Sequence, residues 1–300
     1  MNRSPESPAG TSRHRANASR GFGLLEMIVA VGLLVTVVAF VFGSFFRVRN
    51  EISRIGTLVN SRQSARATIQ LIERDVRMSG SGWGKMSINY STSGTAGTYY
   101  AVNPGPGGGS NDSLRIVGAW STSTATTATM GTATTNIVVT STTGFVTNNL
   151  ILIVDKQGTH GHMFQITGVN SGTKTLSHAN TSAWNVVPGS WNWPAGGYGS
   201  GSFLYKIDIL SYAVDATNYR RPALVRRTYG GSTAVVSYDI TNFQCWYRMQ
   251  DGSATRSPAV SGTGVALIDK VRPVVYTTLS DPQHPSALDS VWTEVRPRSF

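Results

Sequence analysis

Glu26 is the only ionisable side chain in the 25 residues from Phe22 to Phe46. As a helix rising about 1.5 Å per residue, this stretch is long enough to cross a hydrocarbon layer of about 30 Å. A carboxylate at the centre of such a layer costs roughly 2.5 to 3.5 kcal/mol, and carboxylates found there usually serve a function. The chemistry open to Glu26 is pairing with a buried amine, because each charge then gains a partner of opposite sign.

Two histidines, His160 and His162, flank a glycine and can present two imidazoles on one strand face. Asp155 or His178 would supply a further metal ligand. The spacing matches no standard metal motif, so a polar hairpin tip is the competing interpretation, and we expect no metal and no cofactor. The sequence also lacks nucleophile-elbow, zinc-protease and phosphate-loop motifs. We therefore expect a protein that is not an enzyme.

Two other clusters are candidates for binding rather than for catalysis, each with a purely structural alternative. Trp191 and Trp193 lie in a glycine-rich loop that can bind a sugar or a neighbouring subunit, with packing of at least one ring in the core as the alternative. The densest basic cluster is Arg220-Arg221 and Arg226-Arg227, beside two tyrosines. Binding of DNA by this cluster competes with a solvated strand end.

The formal net charge of +11 is spread along the chain. Residues 1–21 carry four arginines against one glutamate, and residues 47–77 carry seven arginines against three acids. Residues 78–300 carry 15 basic and 10 acidic side chains, which is no concentrated basic face. A secretory signal peptide is the competing interpretation of the N-terminus, but its apolar core would span only about 7 to 15 residues.

The helical pattern continues beyond the apolar stretch. Apolar residues recur at intervals of three and four from Val48 to Val76, and arginine and glutamine occupy the other faces. No proline occurs from Phe22 to Met78, and the pattern ends at the Ser-Gly-Ser-Gly run of residues 79–82. We predict one helix over residues 22–78, with a transmembrane half and then an amphipathic stalk whose apolar stripe is covered by a sheet.

The N-terminus resembles the signal of the type IV prepilin and pseudopilin family. Arg20 and Gly21 close a basic leader, Phe22 opens the apolar run, and Glu26 is the fifth residue after the glycine. In that family a membrane peptidase cuts after the glycine and methylates the new N-terminal amine. The resemblance implies removal of residues 1–21, N-methylation of Phe22, and a contact between Glu26 and the Phe22 amine of an adjacent subunit. An ordinary single-pass anchor, with Glu26 near the headgroups, is the alternative.

A second resemblance is carried by Asp75-Val76-Arg77-Met78-Ser79-Gly80 and by Asn111-Asp112-Ser113-Leu114-Arg115-Ile116. Both segments are similar to parts of PilW-like minor pilins and of J-type pseudopilins. The implied function is that of a minor pilin in the initiation or assembly of a type IV pilus. The alternatives are a J-type pseudopilin of type II secretion, or a tip adhesin or DNA-binding pilus subunit.

The same resemblance implies partners and a location. The partners would be the prepilin peptidase, other minor pilins, the major pilin and, before assembly, inner-membrane lipid, while DNA or a surface ligand stays open. The leader would lie in the cytoplasm and the head in the periplasm. The protein would later reach the pilus at the cell surface.

Residues 79–300 form the predicted head. Alternating or wholly apolar runs separated by Gly, Ser, Asn and Pro predict ten strands from Leu114 onward, so with the long helix the fold class is α+β. The resemblance implies the type IV pilin-like arrangement, in which the helix packs on a mainly antiparallel sheet. Alternation around the only cysteine, Cys245, predicts a buried, inert thiol. Residues 121–180 are predicted to be a β-rich insertion that does not complete the main sheet, so that the head would fold without it.

Overall fold

The computed structural model describes residues 23–84, 86–105, 111–188, 191–217, 221–258, 268–277 and 290–297. The chain divides into two compact units between residues 57 and 58. The first unit contains the start of one long helix, and the second contains the end of that helix and the strands. One long N-terminal helix followed by a mainly antiparallel β region confirms the predicted α+β class.

The helix α1 spans Leu24–Arg77, 54 residues. A short 3-10 helix spans Ala183–Asn185. The strands are β1 (Ile88–Thr92), β2 (Thr95–Tyr99), β3 (Val102–Pro104), β4 (Leu114–Gly118), β5 (Ser123–Ala125), β6 (Ile137–Val138), β7 (Leu150–Val154), β8 (Gly161–Gln165), β9 (Gly168–Asn170), β10 (Thr175–Ser177), β11 (Phe203–Asp215), β12 (Ala223–Thr228), β13 (Thr233–Tyr238), β14 (Ile240–Met249), β15 (Ala254–Thr255), β16 (Ile268–Thr277) and β17 (Ser290–Trp292).

The helix α1 ends where the glycines begin. Gly80, Gly82 and Gly84 all have positive φ, a conformation that side chains with a Cβ rarely adopt. The N–H of Gly80 donates to the carbonyl of Val117 at 3.0 Å, which ties this turn to β4. The predicted helix end is therefore confirmed within one residue.

The apolar stripe of the stalk is covered only over its last part. Ala65, Ile69, Ile72 and Val76 are buried against β-strands in one core cluster. Four earlier members of the stripe are 47 to 64 % exposed: Val48, Ile52, Ile55 and Val59. The prediction that a sheet covers the whole stripe is thus wrong for these four residues, because the core of strands begins at Ala65.

The long strand β11 organises the ten-stranded sheet. Residues 203–207 pair with β5 and with β7, and residues 208–215 pair with β4 and with β12. From β7 the sheet continues through β8 and β1 to β2, and from β12 to β13. Its pairs are antiparallel except that of β1 with β8.

The segment 121–180 belongs to this sheet. Its strands β5 and β7 supply partners for the first half of β11, and β7 also pairs with β8. The prediction that the insertion does not complete the main sheet is therefore wrong. Among the strands of residues 121–180, β6, β9 and β10 alone form a separate, three-stranded sheet. A head without residues 121–180 would leave half of β11 without these neighbours.

A four-stranded sheet, in the order β15-β14-β16-β17, closes the other side of the core. Strand β14 alternates as predicted, with Phe243, Cys245 and Tyr247 fully or almost fully buried. These residues pack in the same cluster as Ile72 of α1 and Tyr212 of β11. The end of the helix is thus held between two sheets, and burial, with the nearby negative charge of Asp112, raises the pKa of the Cys245 thiol.

Candidate functional site

The first half of α1 is apolar and exposed. From Leu24 to Phe46 every residue lies at the surface of the protein. Burying one large apolar side chain is worth about 1.5 to 3 kcal/mol, so water is a costly environment for this surface. By length and composition the helix can cross a membrane. Lipid, or apolar helices from other chains, would remove this surface from water.

Glu26 lies in the first turn of α1. Its backbone N–H donates to the carbonyl of Gly23 at 2.9 Å, so the helix is already formed at this residue. Its carboxylate is exposed and makes no hydrogen bond or ion pair with the part of the chain that the structure describes. The predicted processing residues Arg20, Gly21 and Phe22 lie outside the described residues, so cleavage and methylation stay predictions.

Asp75, near the end of α1, is the most enclosed carboxylate of the helix. Its side chain is 1 % exposed and accepts hydrogen bonds from the hydroxyl of Tyr212 at 2.7 Å and from Nε of Arg226 at 3.0 Å. Arg74 adds a third contact at 3.0 Å. Burial is the largest single influence on the pKa of Arg226 and lowers it, but the charges of Asp75 and Tyr212 and the hydrogen bonds to both together raise that pKa. The cluster locks α1 to β11 and β12.

A second buried carboxylate, Asp112, precedes β4. Two guanidinium nitrogens of Arg256 donate hydrogen bonds to this carboxylate, at 2.9 and 3.2 Å, and the backbone N–H of Cys245 donates a third at 2.9 Å. Asp75 and Asp112 are the acids of the two segments on which the second resemblance depends. Both carboxylates act as cross-links between distant parts of the head, since each fixes a different sheet.

The predicted basic cluster is divided by the structure. Arg226 points to the buried Asp75, and Arg221 pairs with Asp239 at 3.1 Å. Arg227, the next residue after Arg226, is exposed on the opposite face of β12. Arg220 lies outside the described residues. Arg226 is therefore engaged with a buried carboxylate and Arg221 with an exposed one, which leaves little unpaired charge in the cluster to contact DNA.

His162 is buried in an aromatic cluster. Its Nδ1 lies 2.6 Å from the hydroxyl of Tyr198, and the rings of Trp191 and Trp193 lie 4.8 and 4.9 Å from its own. Burial, helped by the charge of nearby His160, lowers the pKa of His162 to about 4. Both tryptophans are half-buried against this core, so the packing alternative holds for each of them.

His160, His162 and His178, the histidines that the structure describes, do not converge on one point. His160 contacts the Asp155 carboxylate at 3.3 Å, and Nε2 of His178 lies 2.8 Å from the carbonyl of Thr135. Within the described ranges, no group of three or more His, Cys, Asp or Glu side chains is placed to hold a metal ion. The arrangement matches the polar hairpin interpretation for His160, whereas His162 lies in the core.

Two open clefts flank the turn that follows β7. The first cleft, of about 570 Å³, is lined by the turn of residues 80–84, by Lys156 and by Phe203. The second, of about 460 Å³, is lined by Lys156 and by His160. Asp155 lies in both. Burial would raise the pKa of Asp155, but hydrogen bonds from Thr159 and His160 lower it. Its carboxylate closes a turn, so it is poorly suited to act as a general base.

No family model, curated protein or solved structure matches this chain. Function has to be inferred from the residues themselves. The sequence pattern singled out Glu26, whose role stays a prediction, but it did not predict the buried contacts of Asp75 and Asp112. A signal was present for Asp75, since it lies three residues after Ile72 on the buried face of the helix.

The buried His162 gives a pH prediction. The pKa of His162 is about 4 in the fold and about 6.5 in the unfolded chain. The unfolded state thus takes up a proton first, and stability present above pH 6.5 is lost as the pH falls towards 4. We expect a loss of up to about 3 kcal/mol, measured by urea unfolding at several pH values.

The comparison is with His162→Gln, which keeps a polar partner for Tyr198 but does not titrate. We expect a clearly smaller loss over the same pH range. The control His160→Gln leaves the buried imidazole in place and should keep most of the wild-type slope. Equal pH profiles for wild type and His162→Gln would contradict the assignment.

Proposed function

We propose that this chain is a PilW-like minor pilin, which takes part in starting or assembling a type IV pilus. The observation that supports this most directly is the position of Glu26. It is a carboxylate without a counter-ion among the described residues, in the first turn of a helix that is exposed and apolar for more than 20 residues.

The two different halves of helix α1 support the same proposal. One continuous helix carries an exposed apolar half, and residues of its last third are built into the core of a β-rich head. Such a division suits a subunit that is stored in a membrane and then joins others through its helix. Removal of residues 1–21 would free the Phe22 amine, the counter-charge that Glu26 lacks.

The partners in this proposal are the prepilin peptidase, the major pilin, other minor pilins and inner-membrane lipid. A J-type pseudopilin would use the same chemistry at Gly21 and Glu26. Co-purification with pilus components or with secretion components separates the two. Binding of DNA by the cluster of residues 220–227 is disfavoured by the inward contact of Arg226.

The test is the N-terminus of the protein isolated from membranes. We expect intact mass and terminal sequencing to show a chain that begins at Phe22 and carries one extra methyl group. The control is Gly21→Arg, which should keep its full-length mass because the peptidase requires a small residue there. A mature chain that keeps residues 1–21, or begins elsewhere, would contradict the proposal.

A further inference from the structure

The outer face of β4, β11 and β12 carries two arginines on either side of a serine. Ser211 of β11 lies opposite Arg115 of β4 and opposite Arg227 of β12. Residues directly opposite in antiparallel strands point to the same face, and neighbouring strands lie about 4.8 Å apart. The three side chains therefore form one row, with about 10 Å between the two arginine backbones.

The next row of paired residues along these strands points to the opposite, buried face of the sheet. Tyr212 lies opposite Leu114 and Arg226, and that row faces the helix and Asp75. Since consecutive residues of a strand alternate between faces, Arg227 must point away from this carboxylate. The Asp75 cluster consequently fixes Arg227 on the outside, with Arg115 as its neighbour across Ser211.

The two arginines line a small pocket of about 190 Å³, and none of its described lining residues is a carboxylate. Its other walls are hydroxyl-bearing or aromatic side chains and one aliphatic residue: Tyr99, Trp184, Ile209, Ser211, Thr228 and Tyr229. Asp215 interacts with the charge of Arg227, and hydrogen bonds from Thr217 occupy its carboxylate. The pocket is therefore positively charged and has no acid of its own.

Ring contacts hold the aromatic wall of the pocket in place. Tyr99 stacks on Tyr90 with ring centroids 4.2 Å apart, and Trp184 meets Tyr229 edge to face at 5.0 Å. Nη1 of Arg115 lies 3.3 Å from the Tyr99 hydroxyl, with its guanidinium 5.5 Å from the ring centroid. The guanidinium of Arg115 is thereby positioned before any ligand arrives, which lowers the entropic cost of binding.

We propose that this pocket binds an acidic saccharide, whose carboxylate or sulfate lies between Arg115 and Arg227. Guanidinium groups bind such oxyanions with two parallel hydrogen bonds, and Ser211 lies between them to donate a third. The apolar face of the sugar ring packs on Trp184 and Tyr229, and its hydroxyls meet the Thr228 hydroxyl. The site uses only residues of the head, so it does not depend on pilus assembly.

The size and charge of the pocket favour this ligand over nucleic acid. Drug-sized ligands need pockets of about 300 to 1,000 Å³, so a volume near 190 Å³ suits one ring with its anionic group. Single-stranded nucleic acid is held by a basic groove that follows the backbone over several nucleotides. The pocket offers two arginines, and its other walls are uncharged.

The test uses the full chain, purified in a polyoxyethylene detergent so that no sugar headgroup competes. A sulfated uronic-acid disaccharide is titrated by calorimetry, beside a neutral disaccharide, inorganic sulfate and a single-stranded oligothymidylate. We expect one molecule of the acidic disaccharide to bind per chain, more weakly as salt is raised. The neutral sugar should not bind, and sulfate alone should bind more weakly.

The variants are Arg227→Gln and Arg115→Gln, which remove one exposed charge each. Each should weaken binding at least about tenfold, as expected for the loss of one charge-assisted contact. Arg227→Lys, which keeps the charge but not the two-pronged geometry, should fall between them and wild type. The matched control Arg296→Gln removes another exposed arginine elsewhere on the head and should bind as wild type does.

Several results would overturn the proposal. These are no binding of the acidic disaccharide, equal binding by Arg227→Gln, or sulfate alone binding as tightly as the sugar. Tighter binding of the oligothymidylate, weakened by the same two variants, would assign the site to nucleic acid instead. None of these results bears on cleavage after Gly21, so the pocket and the pilin proposal can fail separately.

Discussion

Replacing Asp75 with asparagine is expected to lower the free energy of unfolding of the head by about 3 to 5 kcal/mol. The substitution keeps the shape of the side chain but removes the charge that faces Arg226 and Arg74. The side chain of Arg226 is only 27 % exposed, so its charge would stay largely enclosed without a counter-ion. The Tyr212 hydroxyl would also donate to a weaker acceptor.

The measurement is urea unfolding of the detergent-solubilised chain, followed by tryptophan fluorescence. All seven tryptophans lie beyond residue 82, so the signal reports the head and not the apolar helix. The matched control is Asp269→Asn, which breaks the exposed pair with Arg296 and should cost less than about 1 kcal/mol. Equal losses for the two variants would show that the Asp75 cluster is not a buried charge pair in solution.

A second substitution separates charge from packing. If the enclosed charge causes the loss, Arg226→Met should restore part of the stability in the Asp75→Asn background, while it destabilises the wild type. If Asp75 served only to fill space, the effects of the two substitutions would simply add. The sign of the coupling free energy between the two substitutions is more informative than the loss for either one, because it does not depend on the absolute stability.

How far the sequence predicted this structure depends on how local each signal was. The helix end at residues 79–82 and the alternation around Cys245 each depend on consecutive residues, and both were predicted correctly from the sequence. The strands β1 and β2 were missed, because Tyr, Ser, Thr and Gly give no apolar alternation there. Their two-residue Ser93-Gly94 turn, with positive φ at both positions, was the available sign of a hairpin.

The error about the insertion has a physical reason. The threonine-rich lead-in suggested a peripheral module, but β7 reads Leu-Ile-Leu-Ile-Val and is buried on both faces. Such an unbroken apolar strand needs neighbours on both sides and cover above and below, which places it inside a sheet. The apolar pattern of β7 is thus a better guide than the threonines, because it predicts a strand inside the main sheet, where β7 pairs with β11.

The candidate sites differ in the same way. Glu26 stands out in the sequence because its surroundings along the chain are apolar. Asp75 and Arg226 are separated by 151 positions, and no local pattern shows that they meet. Likewise the row of Arg115, Ser211 and Arg227 depends on the register of three strands, which the sequence leaves open.

The largest functional effect is expected for Glu26→Gln. The amide is less costly than a carboxylate to place in an apolar layer, so membrane insertion should be unchanged or slightly favoured. If Glu26 pairs with the Phe22 amine of an adjacent subunit as proposed, assembly should fail or slow strongly, because that amine then lies in the apolar layer without its counter-charge. Breaking a buried pair costs about 3 to 5 kcal/mol, a factor of more than 100 in an association constant.

The measurement follows three quantities for wild type and variant: the amount of protein in the membrane, its N-terminus, and the pilus components that co-purify with it. The matched control is Glu51→Gln, the same substitution on the same helix, where the carboxylate is exposed and 3.7 Å from Arg54. It should assemble normally, since an exposed pair contributes little. Normal assembly of Glu26→Gln would contradict the proposed pairing even if cleavage after Gly21 is confirmed, because a membrane anchor alone needs no partner for that carboxylate.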